Sequence, residues 1–334
     1  VEEIRMSNID YLNDMVMKAV TTISTLSTSV LQPKYFNQYI REATEPRTIL
    51  NDARRVTMDS NVVNIDRIAF GSRILQVVAE NTALTDYSDP TPGQNVLTAK
   101  HFAAMMGLTD QAARRTIEGR TNFESTLISM FADRAGQDWE ELAVWGDTAK
   151  YTGGGDGGDI AVLHAQDGWI KRAGTGQHLY GTGAGKDFDY PNDGIVGALK
   201  ACIDLYPKKY MAQPRDITFY MGWDYFDLYV DEWGDRQTAA GDQAMETGVA
   251  RPYKGFQVKY APVLDSTAGV AAYGAPILMS NPKNMVYGVF EDVSIEPDRV
   301  PKAFRTDWII GMETDQDFEN ETAFVACFPD ATRP

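Results

Sequence analysis

A chain of 334 residues, 43% apolar and 23% charged, has room for about two ordinary domains and a sizeable core, which excludes a disordered or collagen-like polymer. Asp and Glu outnumber Lys and Arg by 47 to 31, and a formal charge of -16 repels a phosphate backbone, so a module that grips nucleic acid through basic side chains is excluded as well. An acidic wall that does not adhere to a polyanion is still compatible with enclosing one.

No apolar run approaches the ~18 residues that a membrane helix needs, and the N-terminus lacks a basic stretch followed by an apolar one, so a soluble, non-secreted chain is expected. The first residue is Val, which fits a removed leader and equally a sequence that starts after the initiator. Cys202 and Cys327 lie far apart with no CxxC spacing and are expected as reduced, buried thiols.

From Ser7 to about Ile23, Ile9, Leu12, Val16, Val20 and Ile23 follow helical spacing and predict an amphipathic arm or surface helix. A short helical pattern at Tyr35 to Ala43 leads into "VTMDSNVVNIDRIAF", which reads as strand. Between Gly71 and Thr98 two extended stretches flank a tip with Pro90, Pro92 and Gly93. A hairpin this long with no third strand nearby is marginal in water, so it must lean on another chain or on its own domain.

After a further extended segment comes the strongest helix. Thr121 with Glu124 forms a capping-box pattern, and Phe123, Leu127, Met130, Phe131, Ala135, Trp139 and Leu142 make one apolar face that Gly146 terminates. Asn122 to Trp145 then spans roughly 36 Å, the length of a spine. Residues 149 to 190 are glycine-dense and loop-like, interrupted by "HAQDGWIKRA". Helical spacing resumes at Ile195, Leu199 and Ile203, strands follow at "DITFYMGW" and "FQVKYAPVL", and the tail reads as three successive strands. The order is α+β rather than regular βαβ alternation.

Several motifs resemble chemistry without supplying it. "YGTGAGKD", Tyr180 to Asp187, imitates a phosphate loop, but Tyr180 stands where glycine is required and Asp187 where Ser or Thr is required. No strand is expected before that loop and no clear helix after Lys186. "GGGDGGDIA", Gly153 to Ala161, fits one copy of a calcium-binding nonapeptide, and one copy cannot build the stack, so a surface loop is the plain reading of Asp156 and Asp159. His101, His164 and His178 show no zinc spacing, and no nucleophile signature occurs. No catalytic residue, cofactor or metal is expected. Glu313, Asp315, Asp317, Glu319 and Glu321 alternate along a strand, either as a solvated edge or as a docking face for Arg67 and Arg73 of another copy's hairpin. Glu80, Asp86 and Asp89 complete the candidate interface set on that hairpin.

The order of these parts resembles the major capsid proteins of tailed bacteriophages, the Hong Kong 97-like fold. The most specific stretches are "DWEELAVWGDT" with "DGWIKRA", and "KNMVYGVFEDVSIE". The resemblance implies an N-terminal arm at 1–35, a peripheral domain beginning at 36–65, and an extended loop at 66–98 that reaches over a neighbouring subunit. It further implies a peripheral domain with spine helix and glycine-rich loop at 99–189, an axial domain at 190–282, and peripheral return strands at 283–334. The implied function is self-assembly as pentamers and hexamers into an icosahedral shell around double-stranded DNA, without sequence-specific binding and without a membrane. Implied partners are further copies of the chain, a portal, a scaffold or maturation protease, and a cement or decoration protein; the implied location is the virion capsid, assembled in the host cytoplasm. No lysine lies between Lys34 and Lys100, so isopeptide crosslinking from the extended loop is not expected. An encapsulin-type compartment shares the implied fold and is the alternative, with a soluble enzyme or calcium-binding protein more distant.

Overall fold

The computed structural model describes residues 47–69, 91–111, 120–150, 159–234 and 252–333, with 20–21 and 75. Val20 and Thr21 form a strand paired in parallel with Gly107 and Leu108, where helical spacing was expected; the rest of the N-terminal arm, the helical pattern at Tyr35 to Ala43, most of the tip of the long hairpin and the glycine run at 151–158 lie outside these residues. In chain order the strands are β1 Val20–Thr21, β2 Arg54–Thr57, β3 Val62–Ala69, β4 Thr91–Thr98, β5 Lys100–Thr109, β6 His178–Thr182, β7 Thr218–Met221, β8 Gln257–Tyr260, β9 Ile277–Ser280, β10 Met285–Val300, β11 Arg305–Phe318 and β12 Phe324–Thr332. The helices are α1 Ile49–Asp52, α2 Arg120–Trp145, α3 Asp159–Leu163, α4 Trp169–Arg172, α5 Tyr190–Leu205, α6 Trp223–Gly234 and α7 Thr267–Tyr273. The mixture of helix and sheet is the expected α+β class.

The chain divides into two compact units, one of residues 1–47, 101–140 and 291–314, the other of 48–100, 141–290 and 315–334. In the first unit β5, β11 and β10 lie side by side with β11 in the middle. Leu108 and Trp308 are buried on one side of this sheet, against Leu127 and Ile128 of α2. The amphipathic stripe read from sequence thus covers a sheet, as a long surface helix should. Arg299 closes the end of β10 by gripping Asp110 through both guanidinium nitrogens, at 2.8 and 2.5 Å.

The second unit is built on a five-stranded sheet in the order β6-β12-β9-β7-β8. β12 pairs in parallel with β6, Ala326 opposite His178, and antiparallel with β9, Ala326 opposite Leu278. β7 and β9 are buried at every position, the near-continuous apolar pattern of strands covered on both faces. α5 covers one face through Ile195, Ala198, Leu199 and Cys202, against Phe219, Met279 and Val325. Cys202 and Cys327 are both free and buried, as expected, and the two thiols meet inside this core.

Of the three tail strands, β10 and β11 extend as read, but β12 leaves them and joins this sheet, because Phe324 to Phe328 are wholly apolar and wholly buried. Sequence reading also passed over β6, α6 and α7. The strand β6 and helix α5 correct the expectation for the glycine-lysine loop, which does lie between a strand and a helix.

The hairpin exists where its strands are described. β3 and β4 pair antiparallel over eight residues, from Val62 opposite Thr98 to Ala69 opposite Thr91. At its foot Leu97, Ala99 and Met58 share a core with Val286 and with Val63 and Ile65. The opposite face exposes Val62 and Val96, so this ribbon has one covered side and one bare side.

α2 ends where the second unit is most crowded. Leu142, Ala143, Val144 and Trp145 have no exposure, and the Trp145 indole donates to the Val263 carbonyl at 2.7 Å. Gly269 of α7 lies so close to this ring that a Cβ on it would sit 2.2 Å from Trp145 Cδ2. Gly269→Ala therefore forces a rigid ring against backbone, and we expect a loss of about 1–3 kcal/mol, read as a lowered denaturant midpoint of the unassembled chain.

Candidate functional site

The described residues converge most strongly at the foot of the hairpin. α4, the helix inside "DGWIKRA", is short, and its role is to aim two side chains. Trp169 is fully buried and donates its indole N–H to the Asp317 carbonyl at 3.1 Å. Arg172, one helical turn on, places Nη2 2.7 Å from Asp315 Oδ1, Nη1 3.0 Å from Asp317 Oδ2, and Nε 2.9 Å from the Asp167 carbonyl. One planar guanidinium thus holds two carboxylates that lie two residues apart on β11, as the period-two geometry of a strand allows.

Asp315 also fixes the hairpin. Its Oδ2 accepts the backbone N–H of Thr98, the last residue of β4, at 2.6 Å. Around it Arg67 of β3 donates to Asn320 Oδ1 at 3.0 Å, Asn95 of β4 donates to the Phe318 carbonyl, and Lys100 donates to the Ala165 carbonyl. Burial pushes the Asp315 carboxyl above its ordinary value, against the pull of Arg172 and the Thr98 and Gln316 amides. An acid raised in this way contributes stability on the acid side that is lost as pH rises from ~3.9 through its higher folded value. The ionised form is held at neutral pH by Arg172 and the amides alone.

Asp147, just beyond α2, is the opposite case. Burial alone would raise it, but the Tyr273 hydroxyl, the Ala149 and Lys150 amides and the Lys171 ammonium hold it below the ordinary carboxylate range. Its stabilisation is present above ~3.9 and is lost as pH falls through its lower folded value.

These positions revise the acidic run. Asp315 and Asp317 are buried and form neither a solvated edge nor a free docking face, because their charges are spent on Arg172 of the same chain. Glu321 lies past the end of β11, in a short 3-10 turn. Glu319 is half exposed and pairs with Arg54 at 3.2 Å, and Glu313 pairs with His101 at 3.3 Å. Arg73, Glu80, Asp86, Asp89 and Asp156 lie outside the described residues.

The apparent phosphate loop is closed upon itself. Gly183 and Gly185 turn the chain with φ of 84° and 78°. The Tyr180 amide donates to Asp187 Oδ2 at 2.9 Å, and Lys186 is held by Asp189 at 2.7 Å. The Tyr180 amide and the Lys186 ammonium are thus both engaged by carboxylates of the same segment. His178 is buried and its imidazole is pushed down by that burial, so it stays neutral beside the Ile170 carbonyl.

Sequence spacing did miss one cluster. His101, Glu291 and Glu313, from β5, β10 and β11, bring ligand atoms within 4.8 Å of one another. Their separation along the chain carries no zinc spacing, and only the strand pairing unites them.

Two outcomes test the hairpin foot. Arg172→Met leaves two buried carboxylates without a counter-charge, and a loss of at least about 3 kcal/mol is expected, whereas Arg54→Ala at the exposed Arg54–Glu319 pair should cost under about 1 kcal/mol; denaturant titration of both compares them directly. Tyr273→Phe removes one donor from Asp147 and should cost about 1.5–3 kcal/mol at pH 7. That difference from the parent should shrink as pH falls below ~4, read by unfolding curves at several pH values.

No family model matches the chain. A prophage capsid protein of Bacillus subtilis strain 168, YqbE, is 29% identical over 317 residues, covering 93% of this chain and 96% of that protein. Among solved structures, the capsid of a native GTA particle matches with a TM-score of 0.61 at 17% identity, covering 92% of this chain and 98% of that one. A chain of Mycobacterium phage Bobi matches with a TM-score of 0.60 at 15% identity, covering 93% and 99%. The mature capsid of bacteriophage PhiM1 gives 0.60 at 10% identity, covering 90% and 93%. The chain thus has the fold of phage and GTA capsid proteins, and along nearly its whole length its sequence is similar to that of a prophage capsid protein.

Proposed function

We propose that the chain is the repeating subunit of a Hong Kong 97-type shell, assembling as pentamers and hexamers that close into an icosahedral capsid around double-stranded DNA. The observation that carries this reading is the hairpin: a two-stranded ribbon with its foot locked into its own chain and the apolar pair Val62 and Val96 bare on one face. Such a ribbon is marginal alone and gains stability when its bare face is covered. A neighbouring copy supplies that cover in a closed lattice, through the loop at 66–98.

The remaining interface contacts are assigned to Arg67 and Glu319 at the foot and to Arg73, Glu80, Asp86 and Asp89 further along the loop, with Glu313 on the sheet of the first unit. Residues 190–282 serve as the axial region, 36–65, 99–189 and 283–334 as the peripheral region, and 1–35 as an arm. The surplus of acidic groups suits a wall along which packed DNA slides without adhering. A portal, a scaffold or maturation protease, and a cement protein complete the assembly, which takes place in the host cytoplasm and ends in the virion. The role is structural, with no catalysis of its own.

Sedimentation followed by negative-stain electron microscopy tests the reading. Angular shells or ring-shaped capsomers are expected, with nucleic-acid absorbance in native particles, and Val62→Asp with Val96→Asp should abolish shells while leaving a folded chain. A chain that stays monomeric in assembly-permissive salt with scaffold supplied would overturn it.

A further inference from the structure

His101 lies on β5, Glu313 on β11 and Glu291 on β10, and β11 runs between the other two strands. None of the three takes part in the hairpin foot. One ligand atom from each lies within 4.8 Å of the others. The imidazole Nδ1 and Glu313 Oε1 are 3.3 Å apart, close to the ~3.4 Å edge of a tetrahedron with metal–ligand bonds of ~2.1 Å.

Side-chain exposure is 58% for His101 and 23% for Glu313, so water can reach the cluster and complete a coordination shell. Among the described residues the carboxylate of Glu291 has no ion-pair partner. It is nevertheless brought beside a second carboxylate, where like charges repel. A divalent cation converts that repulsion into attraction to a shared centre. Gly311, two residues before Glu313, lies beside the imidazole: a Cβ there would make ordinary contact at 3.6 Å with His101 Cε1.

We propose that His101, Glu291 and Glu313 form a divalent-cation site of the zinc type, with water as the remaining ligand. One imidazole nitrogen with two carboxylates suits zinc and its first-row neighbours, whereas magnesium and calcium favour shells made of oxygen alone. The site joins three strands across the sheet. An unfolded chain does not gather residues 101, 291 and 313, so the ion binds the folded state and stabilises it in proportion to its concentration.

The test is isothermal titration of the purified full-length chain with zinc chloride in a non-chelating buffer, with cobalt(II) as a spectroscopic probe of nitrogen and oxygen ligation. Saturable binding of one ion per chain is expected, with a rise in the unfolding temperature that chelation reverses. His101→Ala and Glu291→Gln should each weaken binding by more than the roughly 10–100-fold typical of losing a supporting partner. Glu296→Gln, an exposed carboxylate of β10 outside the cluster, should leave binding unchanged. Glu291→Gln keeps the side chain's size and decides the matter if the alanine variant misfolds. No binding at millimolar zinc, or binding undiminished in Glu291→Gln, overturns the site.

Discussion

A guanidinium largely covered by protein needs charge and hydrogen-bond acceptors around it, and Arg172 finds them in Asp315, Asp317 and the Asp167 carbonyl. The requirement fixes more than one contact. Asp315 and Asp317 reach the same guanidinium only if they share a face of β11, and a slip of one residue would turn both away from it. The pair therefore sets the register of β11 at its C-terminal end. Through the Thr98 amide the same carboxylate sets where β4 stops. A buried ion pair is weak evidence of net stability, but it is strong evidence of a specified geometry, because the alternatives leave charge unpaired.

That geometry fixes the foot of the hairpin on its own chain. Along its described length the ribbon is held by eight antiparallel pairs, and Arg67 beyond Asn95 is bonded to Asn320. A flexible ribbon would lose much conformational entropy on meeting a partner. One clamped at its foot has already lost part of it, and in the proposed assembly symmetry would repeat the modest contact made by its exposed apolar pair.

Patterns set by local periodicity were legible in the sequence. The stripe from Leu127 to Leu142 gave α2 nearly to the residue, since Gly146 ends it where a Cβ would meet the Gln166 carbonyl at 2.3 Å. The long strands β10 and β11 were equally plain. What stayed hidden depends on pairing between distant segments. Nothing in "ETAFVACF" says that it joins β6 and β9 rather than β11, because an apolar run fits any covered position in a sheet. The acidic run looked like surface because carboxylates are rarely buried, and only the packing of α4 against β11 reveals that Arg172 bridges two of them. The cluster of His101 with Glu291 and Glu313 is likewise a product of strand order.

The distribution of acidic groups bears on the surface as well. Asp147, Asp307, Asp315 and Asp317 are buried, with Arg172, Lys171 and Arg305 as their cationic partners. Arg172 serves two of these carboxylates, so four acids meet three cations and the group keeps a surplus of one negative charge. Most of the formal charge of -16 therefore lies on other acidic groups, and repulsion between exposed ones is screened over ~8 Å at physiological salt. Within that distance exposed acidic groups repel one another. In the proposed assembly, apolar cover and matched contacts have to overcome like charge, which makes ionic strength a natural control over when copies would associate.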